Sequence, residues 1–142
     1  MAIVAISVNK IDAVSTRPDN FAGQIMVNST PVIKGLEERH IDLPGIESAI
    51  VAEFDLVTSY EPKLGHIKMT GEVIFTDSNT KKIMDEWKKN KKIIKEVGMP
   101  LMNAIFRRCL SRVILIAEDL QLPPPIVFPT VVAAEPEKEK KK

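Results

Sequence analysis

The hydrophobic period of this chain changes once, close to Asp77, and that switch points to a sheet followed by helices. From Ile50 to Tyr60 the even positions read Ile50, Ala52, Phe54, Leu56, Thr58 and Tyr60, while the odd ones include Glu53, Asp55 and Ser59. From Gly65 to Phe75 one face carries Ile67, Met69, Gly71, Val73 and Phe75, and the other His66, Lys68, Thr70 and Glu72. Alternation of this kind marks half-buried strands. Glu61-Pro62-Lys63-Leu64-Gly65 lies between them and is a turn by composition, so the two runs read as an antiparallel hairpin. Two earlier strands are expected over 3–14 and 24–41. Pro31 interrupts the second, and because proline cannot donate to a ladder it marks a sheet edge or a bulge. The first half therefore predicts a four-stranded antiparallel meander.

Beyond Asp77 the apolar residues recur at helical spacing. Asp77 or Ser78 caps a helix expected over 79–97, with Ile83, Met84, Trp87, Ile94 and Val97 on its apolar side and Gly98 and Pro100 as its stop. A second helix is expected over 100–119, with Pro100 in its first turn. Leu101, Met102, Ile105, Phe106, Cys109, Leu110, Val113, Ile114, Ile116 and Ala117 cover more than half its circumference. Such a helix needs the sheet on one side and a second cover on the other. Leu122-Pro123-Pro124-Pro125-Ile126-Val127-Phe128-Pro129 then enforces an extended path. The fold class is thus α+β, a four-stranded antiparallel meander sheet packed by C-terminal helices. It forms one domain over 1–130, followed by a disordered charged tail at 131–142.

Charge is divided along this architecture. The 142 residues carry a formal net charge of +1. Residues 1–80 hold six basic and eleven acidic side chains, whereas 81–134 hold ten basic and five acidic. A whole-molecule attraction to nucleic acid is therefore disfavoured, which leaves a local one through Lys81, Lys82, Lys88, Lys89, Lys91, Lys92 and Lys95. Asp85, Glu86 and Glu96 are interleaved there, so the ordinary reading is the solvated face of an amphipathic helix. No run approaches the length of a membrane helix, and the first residues lack a signal-peptide pattern, so a cytoplasmic location is expected. One cysteine excludes an intrachain disulfide.

No catalytic residue can be named. The chain has no glycine-rich phosphate loop, CxxC, HExxH or GxSxG pattern. His40 and His66 fall in separate strands and lack a third partner at metal-ligand spacing. Cys109 lies in an apolar stripe, where a thiol is expected to be inert. Neither cofactor nor metal is expected. The six methionines, with Met99 and Met102 at the start of the second helix, suit either core filling or an adaptable apolar surface.

The order of elements, together with three local segments, resembles the SecB export-chaperone family. Phe106-Arg107-Arg108-Cys109-Leu110-Ser111 is similar to that family's helix pattern. Leu122-Pro123-Pro124-Pro125-Ile126-Val127-Phe128 is similar to its proline-containing connection, and Thr70-Gly71-Glu72-Val73-Ile74-Phe75 stands where the family has a Gly-Ile-Phe strand end. The resemblance covers about residues 3–130. It implies a chaperone that holds non-native polypeptides in an apolar groove without nucleotide, and a homo-oligomer, dimer or tetramer, that covers the apolar helix. Met102 and Phe106 would form the groove floor, and Leu122, Pro124, Ile126 and Phe128 its wall. The departures are the lack of a further C-terminal helix, basic helices, and an EKEKKK ending unlike the family's motor-binding tail, so coupling to the SecA motor is not implied. The competing functions are an oligomeric module for one folded partner, and nucleic-acid binding through 81–95.

Overall fold

The computed structural model describes residues 1–16, 21–127, 129 and 131–133. Four strands, β1 (Ala2–Ser15), β2 (Met26–Leu43), β3 (Ile46–Glu61) and β4 (Gly65–Thr76), precede two helices, α1 (Thr80–Asn90) and α2 (Lys95–Asp119). The sheet is antiparallel in the order β1-β4-β3-β2. Strands β2, β3 and β4 form the expected meander, but β1 lies beside β4 rather than β2. The result is Greek-key order, in which β1 reaches its edge by a long connection. Alternation reveals that β1 is a strand; it carries no information about which strand it joins.

Pairing keeps the predicted phase. Tyr60 faces Gly65 across the hairpin and Ile50 faces Phe75 at its far end. Ile67, Met69, Gly71, Val73 and Phe75 are buried in β4, as are Ile50, Ala52, Phe54, Leu56, Thr58 and Tyr60 in β3. Gly71 is required for this fit. A Cβ there would stand 2.0 Å from the Ser7 carbonyl oxygen and 3.0 Å from the Phe54 ring. Pro31 lies on β2, an edge strand that pairs among the described residues with β3 alone, a place where a missing ladder N–H is tolerated.

The opposite sheet face is polar and centred on Asp55. Thr70 Oγ1 donates to Asp55 Oδ1 at 2.7 Å, and the ammonium groups of Lys34 and Lys68 lie 3.3 and 3.6 Å from its carboxylate. Lys34 reaches it from a register shift between Ile33 and Gly35. Burial pushes the Asp55 carboxyl up, but the Thr70 hydroxyl and the two lysines more than offset this and hold it below its ordinary range.

The helices break earlier than the sequence predicts. α1 stops at Asn90, because Lys91 adopts a left-handed conformation and donates its N–H to the Trp87 carbonyl at 2.8 Å. Gly98 and Pro100 do not separate the helices; both lie inside the start of α2. Val97 and Gly98 donate to the Ile94 carbonyl, so the first turn is already closed when Pro100 forfeits one bond. Nor is Asp77 or Ser78 the cap: Asn79 holds that position, and Asp77 Oδ1 accepts the Asn79 N–H at 2.8 Å just upstream.

α2 packs on the sheet through Val97, Leu101, Ile105, Cys109, Val113 and Ala117, a stripe at intervals of four residues. The apolar cover of α2, expected over more than half its circumference, is interrupted by a largely polar outer side. Met99, Asn103, Arg107, Ser111 and Leu115 are exposed along its outer line, with Arg108, Arg112, Glu118 and Asp119 beside them. Of the apolar residues outside the buried stripe, Met102, Phe106, Leu110 and Ile114 gather on one flank, while Ile116 follows Arg112 on the other.

Candidate functional site

Two flanks of α2 border the buried stripe, and their neighbours differ. Met102, Phe106, Leu110 and Ile114 form the flank turned away from β1. Phe106, Leu110 and Ile114 are half-buried, and Met102 is 37% exposed. This row ends at the chain reversal after the helix. Leu122 donates its N–H to the Ala117 carbonyl at 2.8 Å and Gln121, at φ 56, to Glu118 at 3.1 Å. This is a Schellman-type closure, with Gln121 where glycine is usual and Leu122 folded back on the helix. Leu122 is buried and touches the space above Gly65.

Tyr60 then fixes the proline segment. Its hydroxyl donates to the Pro123 carbonyl at 2.7 Å, and its ring is buried at the end of β3. Burial pushes the phenol up, so it remains a donor. Ile114, Glu118, Leu122 and Pro124 enclose a pocket of about 340 Å³. Of the predicted groove residues, Leu122 and Pro124 line this pocket and Ile126 follows, half-buried. Met102 and Phe106 share the flank of Ile114 but lie closer to the helix start; Met102 is about 18 Å from Ile114 along the axis. Phe128 lies outside the described residues, as does most of the 131–142 tail. Sequence reasoning missed Tyr60, Ile114 and Glu118. Ile114 was visible as an apolar helical residue, whereas Tyr60 carried no signal of a partner 63 residues away.

The second flank faces β1. Pro100, Ala104, Arg108 and Arg112 are small or basic, and they leave two adjoining clefts against the strand. One, of about 690 Å³, includes Ile3, Ile6, Pro100, Ala104 and Arg107. The other, of about 500 Å³, includes Ile6, Val8, Lys10, Ile11, Arg108 and Arg112. Ile6 and Arg108 belong to both.

The remaining candidates stay ordinary in geometry. Cys109 is buried; burial pushes its thiol up, while Arg108 and Arg112 pull the other way. His66 Nε2 lies 3.4 Å from Asp12 Oδ2 on the surface, and His40 is exposed. Among the described residues, no three His, Cys, Asp or Glu side chains converge as a metal site. The α1 lysines are exposed, and Lys91 Nζ sits 5.8 Å from the Trp87 ring centre. No helix among the described residues is long and apolar enough to cross a membrane.

No protein-family model matches the chain, and no curated protein matches it in sequence. Among solved structures, the chain is similar to the SecB-like chaperone Rv1957 of Mycobacterium tuberculosis, in complex with a ChAD peptide from the Rv1956 HigA1 antitoxin. The similarity has 12% identity and a TM-score of 0.46, and covers 94% of this chain and 91% of that one.

Proposed function

We propose that the protein is a SecB-like holdase of the cytoplasm, which keeps non-native polypeptides from aggregating by covering their apolar side chains without nucleotide. The observation that carries this reading is the flank from Met102 to Ile114, continued by the proline segment that Tyr60 holds over Glu118 and Leu122. It offers apolar side chains in a row, half-open to solvent, with a wall that has few free N–H groups to satisfy. Each apolar client side chain fully covered there gains about 1.5–3 kcal/mol. Repetition of the groove in a homo-oligomer, dimer or tetramer, raises the effective concentration of weak sites. Binding the unfolded state then slows both folding and aggregation by mass action.

The test is aggregation of a chemically denatured model protein, followed by light scattering with and without the chain. Suppression by the natural protein and its loss in Ile126→Asp/Phe128→Asp, with circular dichroism and oligomer size unchanged, is the expected outcome. Equal suppression by the folded variant would overturn the groove assignment. A chain that captures no denatured substrate would overturn the holdase reading itself.

A further inference from the structure

The segment 81–95 concentrates lysine. It holds seven lysines, all exposed, against Asp85 and Glu86, and no arginine. On a solvated helix, carboxylates three or four residues away pair with such lysines. Here they do not. Among the described residues, none of the seven lysines has an ion pair. Glu86 is engaged elsewhere, because Asn90 Nδ2 donates to its Oε1 at 2.7 Å.

The packing of α1 turns these charges outward. Ile83 and Met84 are buried, and Trp87 packs half-buried against the same core. Lys81 and Lys82 recur as Lys88 and Lys89 after about two turns, so two lysine pairs stand about 10 Å apart along the helix. Lys91 and Lys92 extend them into the turn that follows. The strands carry the opposite charge bias, so the field of the molecule directs an anionic polymer to α1 and away from the sheet.

The side chains also select among anionic partners. Lysine presents a compact point charge suited to phosphate, whereas carboxylates are better met by the fork of arginine. The apolar side of α1 is spent on the core, so none is left to enter a bilayer. The Trp87 ring is half-buried with Lys91 Nζ at 5.8 Å from its centre, so it is no platform for an unpaired base. Arginine, which reads guanine in the DNA major groove, is absent, and the Asn90 amide is held by Glu86. A surface that reads no base edge suits an RNA duplex, which is met through its shape, phosphates and 2′-hydroxyls. Ser78 and Asn79, exposed beside Lys81 and Lys82, add a hydroxyl and an amide for the 2′-hydroxyls.

We propose that the outer face of α1 docks on the phosphate backbone of double-stranded RNA without reading its sequence. The two lysine pairs neutralise separate phosphates, and Asp85 between them keeps the contact weak and sensitive to salt. The site uses no residue of the groove at Leu122 and does not depend on the holdase reading.

Fluorescence anisotropy of the full chain with a labelled RNA duplex of about 16 base pairs tests this. The same sequence as DNA, a polyglutamate peptide and anionic lipid vesicles serve as competitors. The RNA duplex is expected to bind with a Kd of about 10⁻⁴ to 10⁻⁶ M at physiological salt. The affinity should fall about 10²-fold from about 50 to about 200 mM salt, as four neutralised phosphates require. Lys88→Gln/Lys89→Gln, both at exposed positions, should lower the salt slope by about two with unchanged circular dichroism. Competition by DNA or polyglutamate as strong as that by RNA would overturn the proposal, as would vesicle binding without RNA binding. So would a salt slope unchanged in the folded lysine variant, with binding lost in Arg107→Gln/Arg108→Gln, since the arginines of α2 would then hold the RNA. Ile126→Asp should leave RNA binding intact, and the lysine variant should still suppress aggregation, so either reading can fail without the other.

Discussion

The two flanks of α2 share one helix and one buried stripe, yet they solve opposite problems. Away from β1, Phe106, Leu110 and Ile114 fill their side of the helix, and the chain folds back until about 340 Å³ remains open. Toward β1, Ala104 is too short to reach the strand and Arg108 and Arg112 keep their charged heads in water, so about 690 and 500 Å³ stay open. A rotation of about 200° around the helix, two residues in sequence, separates the two. Apolar content alone therefore does not locate a binding surface. What locates it is the size of the side chain on each flank and the neighbour it meets.

The most severe way to break the comparison is to remove what both flanks rest on. Ile105 is fully buried in the shared stripe. Ile105→Ala should cost about 2–5 kcal/mol. A urea titration should show a lower midpoint, and capture of denatured substrate should weaken with it. A loss below about 1 kcal/mol would mean that the stripe is not the common support.

Asp55 acts from the far face of the sheet and should also treat the flanks alike, with a smaller effect. Its folded carboxyl titrates below the unfolded one, so its contribution is complete above about pH 4 and disappears as pH falls through the folded value. Asp55→Ala strands the Thr70 hydroxyl and the ammonium groups of Lys34 and Lys68, a loss of about 1–3 kcal/mol at neutral pH. Denaturation measured from neutral to acidic pH should show wild type and Asp55→Ala converging. Parallel curves would remove Asp55 from the acid response.

Much of this arrangement was legible in the residues themselves. β3 and β4 could be read because their two faces differ at every step, and Leu122 and Pro124 because proline leaves few paths. The helix boundary was misread because Gly98 and Pro100 are strong local stops, yet the first turn of α2 tolerates both. The stop that operates is Lys91, whose left-handed conformation has no residue signature. The basic flank was hidden for another reason. Arg107, Arg108 and Arg112 could be counted, but their meaning depends on β1 lying beside β4 and under α2. That is a matter of strand order and not of periodicity.

Tyr60→Phe addresses the apolar flank alone. It keeps the buried ring and removes only the hydroxyl that donates to Pro123. The expected cost is about 0.5–1.5 kcal/mol. Its signature should be local: faster hydrogen exchange at the Leu122 amide and no change at the amides of β1. Equal changes on both flanks would mean that the proline wall and β1 are coupled.

The smallest effect should come from the basic flank, and it is best read as a pair. Arg108 is exposed and has no ion pair among the described residues, while Arg112 lies one turn away with the same charge. Arg108→Gln should therefore change stability by no more than about 0.5 kcal/mol, since it relieves a like-charge neighbour and uncovers little apolar surface. The same change at half-buried Leu110, on the opposite flank, places an amide where a hydrocarbon packed and should cost about 1 kcal/mol or more. Thermal melts of the two variants side by side check the difference. Arg108→Gln carries a second marker, because Arg108 pulls the Cys109 thiol down against the larger effect of burial. Thiol titration should place Cys109 higher still in the variant. If Arg108→Gln proved as costly as Leu110→Gln, the arginines would be bracing the helix.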